Sequence, residues 1–437
     1  MSLASTDSRL GRRSYYAATA ARAAAWPALQ GDADCDVAVV GGGLAGVTAA
    51  LELAERGFAV RLLEAEAIGF GASGRNGGQA IYGLACDPRT IERQLGRSDA
   101  QRVWAMTLDA LALLRERIAR HRIDCDWRDG HLDAATSPRK ARALHAWAER
   151  LERDYGYALQ PIGRAQLPRW IASDRYHAAL YDRRSGHLHP LKYLLGLAQA
   201  AHDAGVRLHE HTPVQALQPG ARVRLTTPQG AVQARHVLLA ANVYLQRLAP
   251  RLAVRIMPVG TYIACTEPLD AALCDALIPS RAAVSDTDFV LDYFRTTADQ
   301  RLLYGGRVSY STATPANLAA SMRRRMLRTF PQLGDARVAY AWGGFVDITR
   351  SRAPDFGRLP AAGGGAANVY YLQGFCGHGV ALAGLAGKLV AEAIAGDAAR
   401  FDLFARLRHR PFPGGPLLRM PTLVLGMAWY RLKDLIG

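Results

Sequence analysis

The run Asp36-Val-Ala-Val-Val40, followed directly by Gly41-Gly-Gly43-Leu-Ala-Gly46, constrains the fold more than any other part of the chain. A short apolar run bounded by turn residues reads as a buried parallel strand. Leu44 to Arg56 then has helical composition and stops at Gly57, and Phe58 to Leu63 reads as a second strand. Together they make one βαβ unit with Gly41-x-Gly43-x-x-Gly46 at its strand-to-helix turn. In that context Gly41 permits the tight turn, Gly43 leaves room for a pyrophosphate and Gly46 lets the helix lie close on the strand. The helix start at Leu44 and Ala45 offers unpaired N–H groups and a partial positive charge to phosphates. Glu64, with Ala65 behind it, ends the second strand, where its carboxylate can accept from ribose hydroxyls and would repel a 2′-phosphate. The pattern alone does not separate FAD from NAD.

Two further glycine-rich segments bear on that choice. In Gly69-Phe-Gly71-Ala-Ser73-Gly74-Arg75-Asn76-Gly77-Gly78-Gln79, the glycines let the backbone run close to a flat or anionic group. Ser73, Arg75 and Asn76 supply donors for phosphate oxygens or flavin edge atoms; the alternative is an ordinary surface loop. Gly374-Phe-Cys376-Gly377-His378-Gly379 lies between a strand at Asn368–Leu372 and a helix from Val380 to Ile394. It presents another helix N-terminus, which favours the negative charge of a reduced flavin. His378 reads either as catalytic or as a structural histidine bonded to backbone or cofactor.

The rest of the chain sets bounds. Its 437 residues are 50% hydrophobic, enough for two domains with their own cores. The net charge is +16, but the lysines are only Lys140, Lys192, Lys388 and Lys433, and the arginines are spread along the chain. The one dense run, Arg323-Arg324-Arg325, falls in a helical stretch, so nucleic acid is not the expected partner. The cysteines (Cys35, Cys86, Cys125, Cys265, Cys274 and Cys376) form no C-x-x-C pair and no metal-ligand spacing. They read as free thiols, no metal is expected, and the expected compartment is the cytoplasm. No signal-peptide run follows Arg12-Arg13. The apolar stretch Leu417 to Tyr430, interrupted by Arg419 and Pro421, reads as a docked C-terminal helix and not as a membrane span.

Strand and helix patterns alternate along the chain in a way that predicts a discontinuous α/β architecture: a Rossmann-like FAD-binding domain and a substrate domain built on a mixed β-sheet with helices. The expected segments are an N-terminal arm (1–32), FAD-binding pieces (33–95, 165–250 and 350–400), substrate-domain pieces (96–164 and 251–349) and a C-terminal extension (401–437). No second strand–GxGxxG–helix unit exists, so no separate NAD(P)H site is expected. With no redox C-x-x-C either, electrons would enter from a small-molecule substrate and leave to oxygen, a quinone or a partner protein.

At these three motifs the chain resembles the amine- and amino-acid-oxidising flavoenzymes of the D-amino acid oxidase and sarcosine oxidase superfamily. Ser14-Tyr15-Tyr16-Ala17-Ala18, the Gly69–Gln79 block, Arg301-Leu-Leu-Tyr-Gly-Gly306, Thr329-Phe-Pro-Gln-Leu333 and Pro411-Phe-Pro-Gly-Gly415 are similar to the branch that oxidises the free amine end of γ-glutamylated diamines in polyamine catabolism. The resemblance implies FAD and a mixed sheet over the flavin. It puts Val214 near the adenine and the turn Ala240-Ala241 near the phosphates, although relatives often carry glycine at that turn. It implies that an amine loses a hydride equivalent to flavin N5, so positioning groups are expected instead of a catalytic triad. Arg352 resembles a family arginine close to the flavin; Arg307 and His378 are the other candidates. Sarcosine-type relatives place a lysine two residues after Gly-His-Gly, where this chain has Ala381. That substitution counts against the alternative, a D-amino acid dehydrogenase or sarcosine-type oxidase. Gly344-Phe-Val-Asp-Ile-Thr349 lacks the cysteine that links FAD covalently in some relatives, so a non-covalent cofactor is expected, with Cys376 as a packing residue.

Overall fold

A computed structural model describes residues 3–11, 14–22, 25–309, 317–360 and 367–413. Two sheets organise them. The first has eight strands, and its spine runs Asp355–Leu359, Val369–Gln373, Gly230–Leu239, Ala33–Val40, Val60–Leu63, Arg207–His209. Every neighbouring pair in the spine is parallel except Asp355–Leu359 on Val369–Gln373. Val37 and Val39 pack into the cluster that holds the helices Leu44–Ala54, Pro190–Asp203 and Gly379–Ile394. Ala38 and Val40 face the opposite cluster, with Val223 and Leu225. Burial on both faces is why this strand reads as a continuous apolar run. Arg117, only 3% exposed, ties the helical layer together. It pairs with Glu52 of the first helix at 2.8 Å and donates to the Gly384 carbonyl of the last at 3.1 Å.

The second sheet has nine strands, in the order Val338–Thr349, Ile256–Thr266, Leu302–Ser309, Tyr293–Thr296, Ala283–Asp286, Arg128–Ala135, Ala178–His187, Gln79–Ala80, with Gln160–Gly163 also on Ala178–His187. It is mixed, because Ala283–Asp286 runs parallel to Arg128–Ala135 while the other pairs are antiparallel. Leu132, Ala134, Val284, Phe294 and Tyr304 point to one face and pack with Met322 and Met326 of the helix Leu318–Thr329. Successive side chains alternate between faces. His131, Asp133, Ser285, Tyr293 and Arg295 therefore occupy the other face, which is turned toward the glycine-rich loop 69–79.

The segments do not divide as cleanly as the sequence reading drew them. Within 165–250, Ala178–His187 joins the second sheet while Arg207–His209 and Gly230–Leu239 join the first. Within 33–95, Gln79–Ala80 pairs in the second sheet, so the glycine-rich loop is the crossing between the two. The N-terminal arm is also more than a polar tail. It forms helices at Leu3–Gly11 and Tyr15–Thr19, and it buries Tyr16 completely between Trp342 and His189. Among the described residues no single helix is long and apolar enough to cross a membrane. The one pair that passes by length and composition, Gly379–Ile394 with Ala399–Ala405, is bent by 117°. The Leu417 to Tyr430 stretch lies outside the described residues.

Candidate active site

Gly41 leaves the first strand at φ +115°, a conformation that L side chains rarely adopt. A Cβ there would lie 2.7 Å from the Ala240 carbonyl oxygen, so the Gly41 turn and the Ala240-Ala241 turn touch. A Cβ on Gly46 would overlap the Gly41 carbonyl oxygen, the close helix–strand approach expected of the third glycine. Gly43 caps the helix Leu44–Ala54 in an extended conformation, and the nearest atom to a Cβ on it is Ser73 Oγ, at 2.9 Å. That oxygen accepts the Leu44 N–H at 3.0 Å, which lays the loop 69–79 across the start of the helix. Ala45 follows in the first turn.

The Glu64 carboxylate faces this turn. It accepts the Gly42 N–H at 2.6 Å and the Glu66 N–H at 2.9 Å. Burial pushes its pKa up against the pull of those two bonds. Ala65 beside it is exposed. The Thr212 N–H donates to the Glu64 carbonyl at 2.7 Å, and Val214, two residues on, packs on the same apolar cluster as Ala241. The three glycines, the helix N-terminus, Glu64, Val214 and the Ala240-Ala241 turn thus lie together at the carboxyl ends of the parallel strands of the first sheet. A cradle that a single Cβ would fill, with a carboxylate at its far end, fits a dinucleotide.

Two of the expected donors are engaged elsewhere. Arg75 ion-pairs with Asp7 at 3.0 Å, with the two side chains 9% and 0% exposed, and donates to the Asp7 carbonyl at 2.6 Å. Its guanidinium also lies 4.5 Å over the Phe70 ring, and Tyr244 donates its hydroxyl proton to the same Asp7 carboxylate. The arginine read as a ligand donor holds the helix Leu3–Gly11 against the loop through its Nη1, paired with a buried carboxylate. Asn76 gives both amide donors to the carbonyls of Ala72 and Ser73, each at 3.0 Å, and accepts the Gly78 N–H at 2.8 Å. It shapes the loop and has no donor left for a ligand. Gln79 likewise spends its amide on the second sheet. Gly71 and Gly74 lie in the turn around Ser73, Gly77 packs under the Tyr293 ring, and Gly78 turns at φ +75° against Leu188.

The third segment is held by a residue the sequence reading did not single out. The Asp347 carboxylate is buried and accepts the N–H groups of Gly374 and, at 3.3 Å, Phe375. Its own carbonyl accepts the Cys376 N–H at 3.0 Å. Cys376 is buried, takes the Thr349 N–H on its sulfur at 3.3 Å, and burial pushes its thiol up to about 12. That is the packing role expected of it. His378 caps the helix Gly379–Ile394, and its Nε2 meets the Tyr82 carbonyl at 2.8 Å. Burial lowers its pKa, so the ring is neutral and clamps one segment to another. Gly377 keeps an open side, with no atom within 4 Å of a Cβ, while Val380 is buried in the first helical turn. Arg352 is exposed at φ +58°, with its guanidinium 5.3 Å over the Phe289 ring. The Arg307 backbone pairs with Tyr262, and its side chain lies outside the described residues.

Arg295 was also missed. It is 3% exposed and has no carboxylate partner among the described ion pairs; it donates to the carbonyls of Gly77 and Leu188, each at 2.9 Å, and to the Tyr16 hydroxyl at 3.1 Å. One side chain therefore joins the glycine-rich loop, the second sheet and the N-terminal arm. Nothing distinguishes it in sequence among the many arginines. Asp347 did carry a signal, as a lone acid inside an apolar strand.

Comparison with known proteins decides the family. A profile of the FAD dependent oxidoreductase family, DAO, matches residues 36–393. The chain belongs to that family. This DAO-family protein is 43% identical over 425 residues to γ-glutamylputrescine oxidoreductase of Escherichia coli strain K12, covering 97% of this chain and 98% of that one. Among solved structures it is similar to glycine oxidase from Geobacillus kaustophilus, with a TM-score of 0.70 at 23% identity over 86% and 99% of the two chains. L-proline dehydrogenase from P. horikoshii also gives a TM-score of 0.70, at 21% identity over 87% and 98%. The DAO-family chain is therefore an FAD-dependent oxidoreductase with the two-sheet α/β fold of that family, acting on a small-molecule substrate.

Proposed function

We propose that this oxidoreductase oxidises the free amine end of a γ-glutamylated diamine, with γ-glutamylputrescine as the reference substrate and FAD held non-covalently. The observation that carries the reading is the 43% identity to γ-glutamylputrescine oxidoreductase over nearly the full length of both chains. When bound, FAD supplies the acceptor for the hydride equivalent that leaves the carbon bearing the nitrogen. The residues assigned to hold it are Gly41, Gly43 and Gly46 with the Leu44 and Ala45 N–H groups at the pyrophosphate, Glu64 at the ribose, and Val214 with Ala240 and Ala241 alongside. The Gly71–Gln79 and Gly374–Val380 segments flank the ring. Oxygen, a quinone or a partner protein then takes the electrons. The same reading places the chain in the cytoplasm, in keeping with six cysteines that are all free.

The site lacks the lysine that would grip an α-carboxylate. Ala381 is buried in the helix Gly379–Ile394, and Lys388, two turns on, lies 4.0 Å from Glu52. A substrate whose carboxylate sits far from the reacting carbon avoids that deficit, and remote contacts to it orient the amine and raise kcat as well as lower KM. The specificity constant for γ-glutamylputrescine is expected to exceed that for free putrescine at least ~tenfold, about 1.4 kcal/mol of transition-state binding. Anaerobic flavin reduction across γ-glutamylputrescine, putrescine, sarcosine and D-alanine measures this. Equal constants for the two diamines would remove the γ-glutamyl part, and faster turnover of sarcosine or D-alanine would move the chain to amino-acid oxidation.

The non-covalent assignment is supported by the strand Val338–Thr349, which has no cysteine, and by a Cys376 thiol that is buried, hydrogen-bonded and hard to ionise. Acid precipitation is expected to release the yellow colour to the supernatant; colour retained in the pellet overturns the assignment.

A further inference from the structure

The face of the second sheet turned toward the glycine-rich loop carries a line of polar side chains that starts at Gln79 and runs on to residues with no role above. Gln79 Nε2 donates to the Val284 carbonyl at 3.1 Å, which sets its amide with Oε1 toward Ser285. Ser285 gives its single proton to that Oε1 at 2.8 Å. Ser285 Oγ must then accept from His131 Nε2, 3.2 Å away, so the imidazole proton sits on Nε2 and Nδ1 is a bare lone pair. His131 is 1% exposed, and burial lowers its pKa, so the ring does not charge. Its Nδ1 has no hydrogen-bond partner and lies 3.9 Å from Asp133 Oδ1. Two acceptors face one another with no proton between them.

Asp133 is equally under-served. Its side chain is 30% exposed, it accepts one long bond, 3.2 Å, from the Tyr82 hydroxyl, and no lysine or arginine pairs with it among the described residues. In a chain with a net charge of +16, a half-buried carboxylate without a cation stands out. The other buried acids of this region are satisfied: Asp182 accepts from Tyr157, Ser185 and Arg184, and Asp347 from two loop N–H groups. Position adds to chemistry. Tyr82, which holds Asp133 through its hydroxyl, is held at its carbonyl by His378, and Gln79 closes the glycine-rich loop. The acceptor pair is therefore bracketed by both segments assigned to the flavin ring. What it lacks is a donor that also brings positive charge, and an alkylammonium group is such a donor.

We propose that Asp133, with the buried His131 Nδ1 lone pair behind it, is the subsite for the ammonium group at the free diamine end of the substrate. The assignment rests on the amine-oxidation reading above. The test titrates the oxidised holoenzyme with tert-butylammonium, which has no hydrogen on the carbon bearing nitrogen and cannot be oxidised, and with tert-butanol as its neutral counterpart. Calorimetry reads binding, and flavin content and Tm are checked for every variant. Wild type is expected to bind the ammonium in preference to the alcohol. Asp133→Asn should weaken ammonium binding at least ~tenfold and raise KM for the oxidisable amine in step, as loss of a charge-assisted contact requires. Asp133→Glu, which keeps the charge, should recover part of it, and Asp133→Ser serves as a second charge-free variant should the asparagine form lose flavin. Equal ammonium affinity in wild type and the charge-free variants, or no ammonium binding by wild type, overturns the subsite. The two claims fail separately. If no amine reduces the wild-type flavin, the amine reading falls, and ammonium binding that follows the Asp133 charge still upholds the subsite. If amines reduce Asp133→Asn with the wild-type KM, the subsite falls alone.

Discussion

Purified Gly43→Val protein is expected to fold and to be colourless. Gly43 sits at φ −88° and ψ −178°, extended backbone that valine adopts without strain. Its Cβ would meet Ser73 Oγ at 2.9 Å and otherwise only Ser73 Cβ at 3.7 Å, so a small movement of one serine accommodates it. The cost is the Ser73–Leu44 hydrogen bond, roughly 1 kcal/mol. The two γ-methyls, however, would stand over the N-terminus of the helix Leu44–Ala54, where a pyrophosphate has to come within hydrogen-bonding distance of the backbone. Loss of that approach is expected to weaken FAD binding by ~100-fold or more, about 2.7 kcal/mol. Gly46→Val makes the contrast, because its Cβ would overlap a backbone oxygen that cannot step aside, and that variant should fail to accumulate as folded protein. The ratio of flavin to protein absorbance, set beside a thermal melt, checks both. A full flavin complement in Gly43→Val would sink the assignment of this turn to the pyrophosphate.

What could be read from the sequence was what local chemistry decides. The strand Ala33–Val40, the helix after it and the carboxylate at Glu64 sit within about thirty residues and need no distant partner to be recognised. The failures have the opposite character. Ala178–His187 was not seen as a strand because Asp182, Arg183, Arg184 and Ser185 interrupt any apolar pattern. Its buried Asp182 is made tolerable by Tyr157, a residue on another segment, whose hydroxyl donates at 2.9 Å. Arg75 looked free because its partner Asp7 is 68 residues away, in an arm whose helices are stabilised mainly by that docking. Arg295 reaches Gly77 across 218 residues. At the site, the positions that must be small, such as Gly41 and Gly46, could be read directly. Side-chain donors could not, since whether a guanidinium or amide is available depends on which buried acceptor claims it first.

Asp347 is where one side chain is expected to matter most for stability. It is 2% exposed, and its carboxylate takes the N–H groups of Gly374 and Phe375 in a loop that turns through φ +78° at Gly374 and +55° at Cys376. Asp347→Ala leaves two buried donors unpaired and opens a cavity, for an expected loss of about 3 kcal/mol together with most of the bound flavin. Asp347→Asn keeps an acceptor oxygen at nearly the same volume and should retain the loop. The two also separate by pH. Burial outweighs the backbone bonds and raises the carboxyl to about 6 from 3.8, so the folded protein holds a proton that the unfolded chain has given up. The resulting stabilisation is fully present below about pH 4 and is lost as pH rises through 6, an amount of about 3 kcal/mol. Asparagine has nothing to titrate there. Wild type should therefore lose stability relative to Asp347→Asn between pH 4 and 7, a change that urea unfolding of both proteins across that range can measure. Parallel stability curves would show that the carboxyl is not perturbed. If the curves diverge as expected and flavin stays bound to the asparagine form, the loop depends on an acceptor at position 347 and bears the charge there at a cost above pH 6.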